Sequence, residues 1–506
     1  GDTLRIDTEA VYAREGRAAP ERAAALADAG RLVRSIVEAS PAEEALVLVV
    51  TAVPSSDMRR VGDVVTPVIA ARGAPADLFP PAGMPHGLVS DSTRLDGIVT
   101  GDDLAPTVLG FFDLPVPAEM TGSPIRATAG DAPFALHRRH LEHRRARLPV
   151  ALGFGLPGLA IVLAAFLRLL VRRPVPPAFD SALAFLLMAA AAIPAALLVA
   201  GYLPHLTYAW AVPAGLAACL GFGAAGWAAR GRDPAMAVVV VAAAVAALVV
   251  VDTLLGGRAQ TVSFGGVSAF EGRSYGLRNF YVGPLVAGVV LAGSRFGPRR
   301  ALLLVLGAAA LAGLPGVGSE VGGCATLLVV APLLSFRLAG RPIRARALLW
   351  SLASLVVGLG LLFAADALLA SAPGHPGRLA ERVGSTGLGA FVGVARERLE
   401  TTVATIGRVP PAWLLVGWYA LEAFAATRIR GRVGAGFDRV RGHRAAVWAL
   451  ALAGLLAVAF NDTGISTAIG LAGPTFAAWL VPALLAAPPP PDAAPAPAAA
   501  LAGSRA

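Results

Sequence analysis

Apolar positions follow two regimes along this chain. Through about residue 130 they come in short runs broken by polar residues, and from residue 148 onward they extend over much longer windows. In the first regime Leu26, Ala29, Leu32, Val33, Ile36 and Val37 recur at helical spacing, and Pro41 predicts where that helix stops. The β-branched run 45–51 (ALVLVVT) predicts a buried parallel strand, and 66–71 (TPVIAA) predicts another. Residues 1–130 therefore form a small α/β segment, followed by a basic connector over 131–147 that contains HRRHLEHRRAR.

The second regime consists of apolar windows at 148–170, 182–202, 208–229, 234–255, 280–291, 301–314, 324–336, 348–369, 412–426, 445–460 and 465–487. A helix needs about 20 residues to cross a bilayer, so the shorter windows must extend into polar neighbours. The fold class expected is a polytopic α-helical membrane protein with about 11 transmembrane helices over 148–487 and an N-terminal α/β domain outside the membrane. Between the eighth and ninth windows Leu388, Phe391, Val392, Ala395, Leu399 and Val403 trace an apolar stripe opposite Arg396, Glu397 and Glu400, the pattern of an interfacial helix. The Pro/Ala tail, 488–506, is expected to be disordered.

Composition agrees with the pattern. Of 506 residues, 56% are hydrophobic and 15% charged, with a mean hydropathy of +0.67. A soluble domain carries about 25% charged residues and could not hide this much apolar surface. The basic residues are all arginine, and the net charge of +10 resides mostly in short loops between apolar windows. Topology accounts for them there, and with no recognised nucleic-acid module no such partner is expected. The two cysteines, Cys219 and Cys324, offer neither a disulfide framework nor a Cys-based metal site. Because the sequence opens at Gly1 with an extracytoplasmic domain, we expect a preceding piece carrying a signal or anchor helix and the start of that domain.

Loops after the odd-numbered windows hold 18 arginines, and those after the even-numbered windows hold 8, although the latter include the two longest. The positive-inside rule makes the first set cytoplasmic. The protein is then expected in the cell membrane, with residues before 148 extracytoplasmic and the C-terminal tail cytoplasmic. The basic stretch 138–147 points the other way, against five agreeing loops.

The soluble segment resembles the C-terminal half of the alkaline phosphatase and sulfatase superfamily. The similarity runs through ALVLVVT, TPVIAARG and residues 97–125 (GIVTGDDLAPTVLGFFDLPVPAEMTGSPI), with DLAPT at Asp103–Thr107 as its most specific stretch. It covers about a quarter of the chain. Members of that family use two metal ions held by Asp and His ligands that follow the strand corresponding to ALVLVVT. Here Thr51 is followed by Ala52, Val53 and Pro54, which bind no metal. His86, in MPHG, is read as a loop histidine. The resemblance thus implies a fold and a degenerate, non-hydrolytic domain. The pairing of such a domain with a helical bundle resembles glycolipid-anchor ethanolamine-phosphate transferases, lipoteichoic acid synthases and, more closely, uncharacterised bacterial membrane proteins.

Polar clusters interrupt the apolar regime at 274–280 (SYGLRNF), 316–323 (GVGSEVGG), 375–378 (HPGR) and 461–464 (NDTG), all on the expected outer side. Glycine-rich breaks expose backbone groups that a membrane tolerates only where they line a cavity or are buried in protein. Glu320 and Asp462 are candidate catalytic groups, acting as base or cation ligand. Arg278, Asn279, His375, Arg378 and Asn461 are candidate substrate-binding groups, with the arginines suited to an anion. No cofactor is specified and no metal site is expected. Asp366 and Glu422 lie inside apolar windows, either as pocket residues or as buried, neutralised or paired acids. The function expected is an envelope protein acting on a lipid-linked or anionic glycan-type substrate at the outer face, as a transferase. Its partners would be membrane lipid and other envelope proteins. A transporter or flippase and a non-catalytic scaffold are the alternatives.

Overall fold

The computed structural model describes residues 18–39, 46–50, 68–71, 86–93, 97–117, 120, 122–129, 134–171, 175–202, 208–231, 233–263, 275–369, 410–429, 431–461 and 464–486, with isolated positions between 389 and 404. The head comprises α1 (Ala18–Ala39), β1 (Val47–Val50), β2 (Val68–Ala71), β3 (His86–Val89), a 3-10 turn (Gly101–Asp103), α2 (Leu104–Phe111) and β4 (Arg126–Ala129). The bundle comprises α3 (Phe134–Leu170), α4 (Pro177–Ala191), α5 (Ile193–Tyr202), α6 (Tyr208–Ala229), α7 (Pro234–Leu254), α8 (Arg258–Val262), α9 (Asn279–Arg295), α10 (Pro298–Gly313) and α11 (Val321–Leu338). It continues with α12 (Ala345–Leu369), α13 (Pro410–Arg428), α14 (Gly431–Asp438), α15 (His443–Phe460) and α16 (Gly464–Leu485).

In the head, β1 and β2 pair antiparallel, with Val47 opposite Ala71, and β3 and β4 pair antiparallel, with His86 opposite Ala129. The parallel arrangement expected for 45–51 and 66–71 is corrected here. A parallel strand is normally covered on both faces, and Val50 is instead exposed, as an antiparallel ribbon permits. His86 opens β3 and is not a loop residue. The DLAPT stretch is a buried junction: the Asp103 carboxylate accepts from Ser90 Oγ at 2.7 Å, Thr100 N at 2.8 Å and Ser123 N at 2.9 Å. Thr107 Oγ1 donates to Asp103 O and accepts from Ile125 N, so one short motif holds the loop before it and the strand entry after it.

Helices occupy each of the apolar windows, but the expected eleven spans are not reached. Among the described residues, seven helices are long and apolar enough to cross a membrane, or eight if the pair α4 and α5, bent by 45°, is one span. The helices that fall short are α9, α10 and α13. At 17 and 16 residues, α9 and α10 extend only about 25 Å, against about 30 Å of hydrocarbon. In α13 the opening prolines, Glu422 and Arg428 lower the hydropathy. Within the basic connector, residues 134–147 are the first turns of α3, which continues unbroken into the span Leu148–Leu170. Of the stripe at 388–403, most positions lie outside the described residues. Those described are helical and exposed, and Arg396 pairs with Glu400 at 2.7 Å.

Short α9 is the axis of the bundle. Every residue from Tyr281 to Leu291 is buried, and α7, α10, α11, α15 and α16 pack around it. Small residues permit this crowding. A Cβ on Gly283 would lie 2.4 Å from Leu471 N, one on Gly470 would lie 2.1 Å from Phe280 O, and one on Gly288 would lie 2.5 Å from Ala242 O. Backbones at such separations gain van der Waals contact that larger side chains would forbid.

Arginine-bearing loops gather at one end of the bundle. Asp233, before α7, pairs with Arg295, at the end of α9, and Gly442, before α15, lies against Ser294 O and the Leu338 side chain. Arg444 holds Asp438 and the carbonyls of Ala426 and Ile429, which end α13. Arg168 of α3 forms a two-pronged pair with Asp180 of α4 at 2.7 and 3.1 Å. The opposite end carries Tyr202, Asp252, Arg278, Glu320 and Asn461, and the head enters the bundle there through the start of α3.

Candidate functional site

The site is built from interruptions in the helical backbone. At the end of α7 the chain turns through Gly256 and Gly257, with φ of +89° and +68°, into the single turn of α8. Asp252 secures that turn, accepting from Ala259 N at 3.0 Å, Gln260 N at 3.1 Å and the Tyr202 hydroxyl at 2.6 Å. Gln260 then bridges outward, donating to Thr253 Oγ1 at 3.0 Å and accepting from Arg278 N at 2.9 Å through Oε1. Arg278 is thereby fixed as the residue that opens α9.

A second interruption meets the first. Gly276, at φ +77°, approaches Gly318 so closely that a Cβ would lie 2.3 Å from its carbonyl oxygen, and Leu277 N donates to that oxygen at 2.8 Å. The loop 314–320 folds back on α10, with Glu320 N donating to Ala312 O at 2.8 Å and Ser319 in the left-handed region at φ +50°. Glu320 then opens α11, and its carboxylate accepts from Gly323 N. That carboxylate satisfies one of the free amides of a helix start and complements its positive pole.

A third interruption completes the circuit. A Cβ on Gly322 would fall 1.7 Å from Asn461 Oδ1, so only glycine fits beneath Asn461. Asn461 Nδ2 donates to Thr467 Oγ1 at 3.1 Å, and that hydroxyl donates to Asn279 O at 2.7 Å. The circuit therefore runs from Gln260 through Arg278, the 276–277 turn, Gly318, Glu320, Gly322, Asn461 and Thr467 back to α9. Arg278 is 6% exposed, Glu320 3% and Asn461 2%.

Of the seven residues singled out from the sequence, Arg278, Asn279, Glu320 and Asn461 come together here, with Asn279 contributing its backbone carbonyl. His375, Arg378 and Asp462 lie outside the described residues. Sequence reasoning missed Tyr202, Asp252, Gln260 and Thr467. For Asp252 the available signal was an acid in an apolar run four residues before a Gly-Gly pair. For Thr467 there was none, since helical threonines are ordinary. Among the described residues no three of His, Cys, Asp and Glu are grouped to hold a metal ion.

Electrostatically, Arg278 is the buried residue that precedes the first turn of α9, where a helix start favours negative charge. A buried cation beside a helix start favours an anion, and the Glu320 carboxylate occupies the start of α11. Comparison with known proteins finds no matching family, no matching curated protein and no matching solved structure.

Proposed function

We propose that this chain is a cell-membrane carrier of a lipid-linked or anionic substrate, with the headgroup recognised at the Arg278, Glu320 and Asn461 circuit. The supporting observation is the meeting of three interrupted helix starts, α9, α11 and α16, around buried polar side chains at one end of the bundle. Interrupted helices of this kind let backbone poles and polar side chains replace water around a charged group. Because Glu320 is held by Gly323 N and almost wholly buried, the geometry favours an occluded binding position over an open catalytic cleft. An entering anion competes with Glu320 for the start of α11 and meets a buried cation in Arg278.

The test is lipid translocation in proteoliposomes containing fluorescent anionic phospholipid, read by a membrane-impermeant quencher. Arg278→Ala and Glu320→Gln are each expected to slow translocation at least about tenfold, as expected when a charge-assisted contact worth more than about 1.4 kcal/mol is lost. Folded variants that translocate at the wild-type rate would refute the assignment.

One observation favours the transferase reading: α3 runs unbroken from the head to the bundle and enters at the end that carries the circuit. A degenerate phosphatase-like head would then present or shield the same headgroup, facing outward, with the C-terminal tail in the cytoplasm. Transfer of the labelled headgroup to an acceptor, without translocation, distinguishes this reading from the carrier.

A further inference from the structure

A second polar position lies away from the circuit, between α13 and α16. Glu422 is 1% exposed, and neither carboxyl oxygen makes a hydrogen bond. Two indoles face it, Trp418 one turn earlier on α13 and Trp479 on α16. Both of their Nε1 atoms are also buried without a hydrogen-bond partner. These four polar atoms therefore lie close together with no hydrogen bond of ordinary geometry between them, in a region walled by Phe166, Phe476 and Phe437.

No cation among the described residues pairs with Glu422. On its own helix Tyr419 donates to Ala468 O at 2.7 Å, and Arg428 lies over the Phe424 ring. From α15, His443 Nε2 lies 2.8 Å from Ala478 O, and Arg444 is engaged with Asp438 and three carbonyls. The sequence of α16 contains no titratable side chain, and Arg168 of α3 is paired with Asp180. An ionised carboxylate without a counter-ion is costly in such a place, whereas a neutral acid is tolerated. Indole N–H groups only donate, so a carboxylate can accept both, whereas the neutral acid offers only its carbonyl oxygen and its O–H finds no acceptor in them.

We propose that Glu422, Trp418 and Trp479 form an intramembrane proton-binding site. The carboxyl holds the proton while the indoles stand off. When the O–H bond breaks, the proton leaves toward water at the arginine-loop end, and the bonding electron pair stays on the carboxylate, which draws in both N–H groups. Arg428 marks that end six residues further along α13, about 9 Å away. The site does not depend on the substrate reading above, and its failure would leave that reading untouched.

The experiment is labelling of the full chain in liposomes with dicyclohexylcarbodiimide, which adds to protonated carboxyls in apolar surroundings, followed by mass spectrometry of the Glu422 peptide across a pH series. Labelling is expected at low pH and is expected to fall as pH rises, and Glu422→Gln should abolish it. A Trp418→Phe/Trp479→Phe variant should raise the pH of half-labelling by about one to two units, since donors to the carboxylate are removed. Absence of labelling on Glu422 at every pH, or labelling that does not change with pH, overturns the proposal. Both results are read on the wild-type protein, so they stand even if a variant fails to fold.

Discussion

Gly283→Ala tests whether close backbone approach around α9 holds the bundle together. The added Cβ would lie 2.4 Å from Leu471 N, 2.5 Å from Thr467 O and 2.6 Å from Gly470 C, about 1 Å short of ordinary contact, and all three are backbone atoms of α16. A rotamer change cannot relieve such a clash, so α9 and α16 must separate. Overpacking a tight core costs about 1–3 kcal/mol. Separation also lengthens the bond from Thr467 Oγ1 to Asn279 O, now 2.7 Å, and a typical hydrogen bond contributes about 1 kcal/mol. The expected loss is about 2–4 kcal/mol. It can be measured by unfolding in mixed detergent micelles with increasing dodecyl sulfate, followed by tryptophan fluorescence. Gly360→Ala is the matched control, because a Cβ there meets nothing within 4 Å. If Gly283→Ala unfolds with the same midpoint as Gly360→Ala, α9 and α16 are not packed at this distance and the central role of α9 fails.

Asp103→Ala should lower the stability of the head by about 3 kcal/mol, since three donors, two of them buried, lose their acceptor. Faster amide hydrogen exchange at Thr100 and Ser123, with the bundle unchanged, would show it. Asp180→Asn should destabilise the junction of α3 and α4 by about 3 kcal/mol, because Arg168 loses its partner in a nearly buried setting. Combining it with Arg168→Leu should restore most of that loss in the same detergent titration, and a double variant no better than the single would count against a buried pair.

What could be read from the sequence follows from what a membrane penalises. Backbone groups have no water to turn to there, so helices had to fill the apolar windows, and the Gly-rich breaks had to find protein partners. That is why Arg278, Glu320 and Asn461, chosen for their place in such breaks, end on one circuit. The alternation of arginine-rich and arginine-poor loops likewise carries over into two distinct ends. Partnering was not legible. Nothing in ALVLVVT distinguishes a parallel from an antiparallel neighbour, and nothing in the window around Glu422 indicates that Trp479, 57 residues later, faces it. Nor did the hydropathy of 280–291 mark it as the centre, since a short apolar window reads as a weak span, whereas every residue of α9 from Tyr281 to Leu291 is buried.

The brevity of α9 and α10 and the polar circuit are two sides of one arrangement. A helix of about 25 Å leaves part of the hydrocarbon depth to its connecting turns, and those turns carry amides and carbonyls that must be met from within. The glycines bring the turns close enough to meet, and Thr467 closes the circuit by joining the Asn461 side chain to the Asn279 carbonyl. Thr467→Val keeps the shape and removes only the hydroxyl. If the three interruptions are one cooperative unit, two buried polar groups lose their partner, and stability should fall by about 2 kcal/mol. Hydrogen exchange should then rise together at the starts of α9, α11 and α16. If the turns are independent, exchange should rise at α9 and α16 alone and α11 should keep its protection, a result that would dissolve the circuit into separate loops.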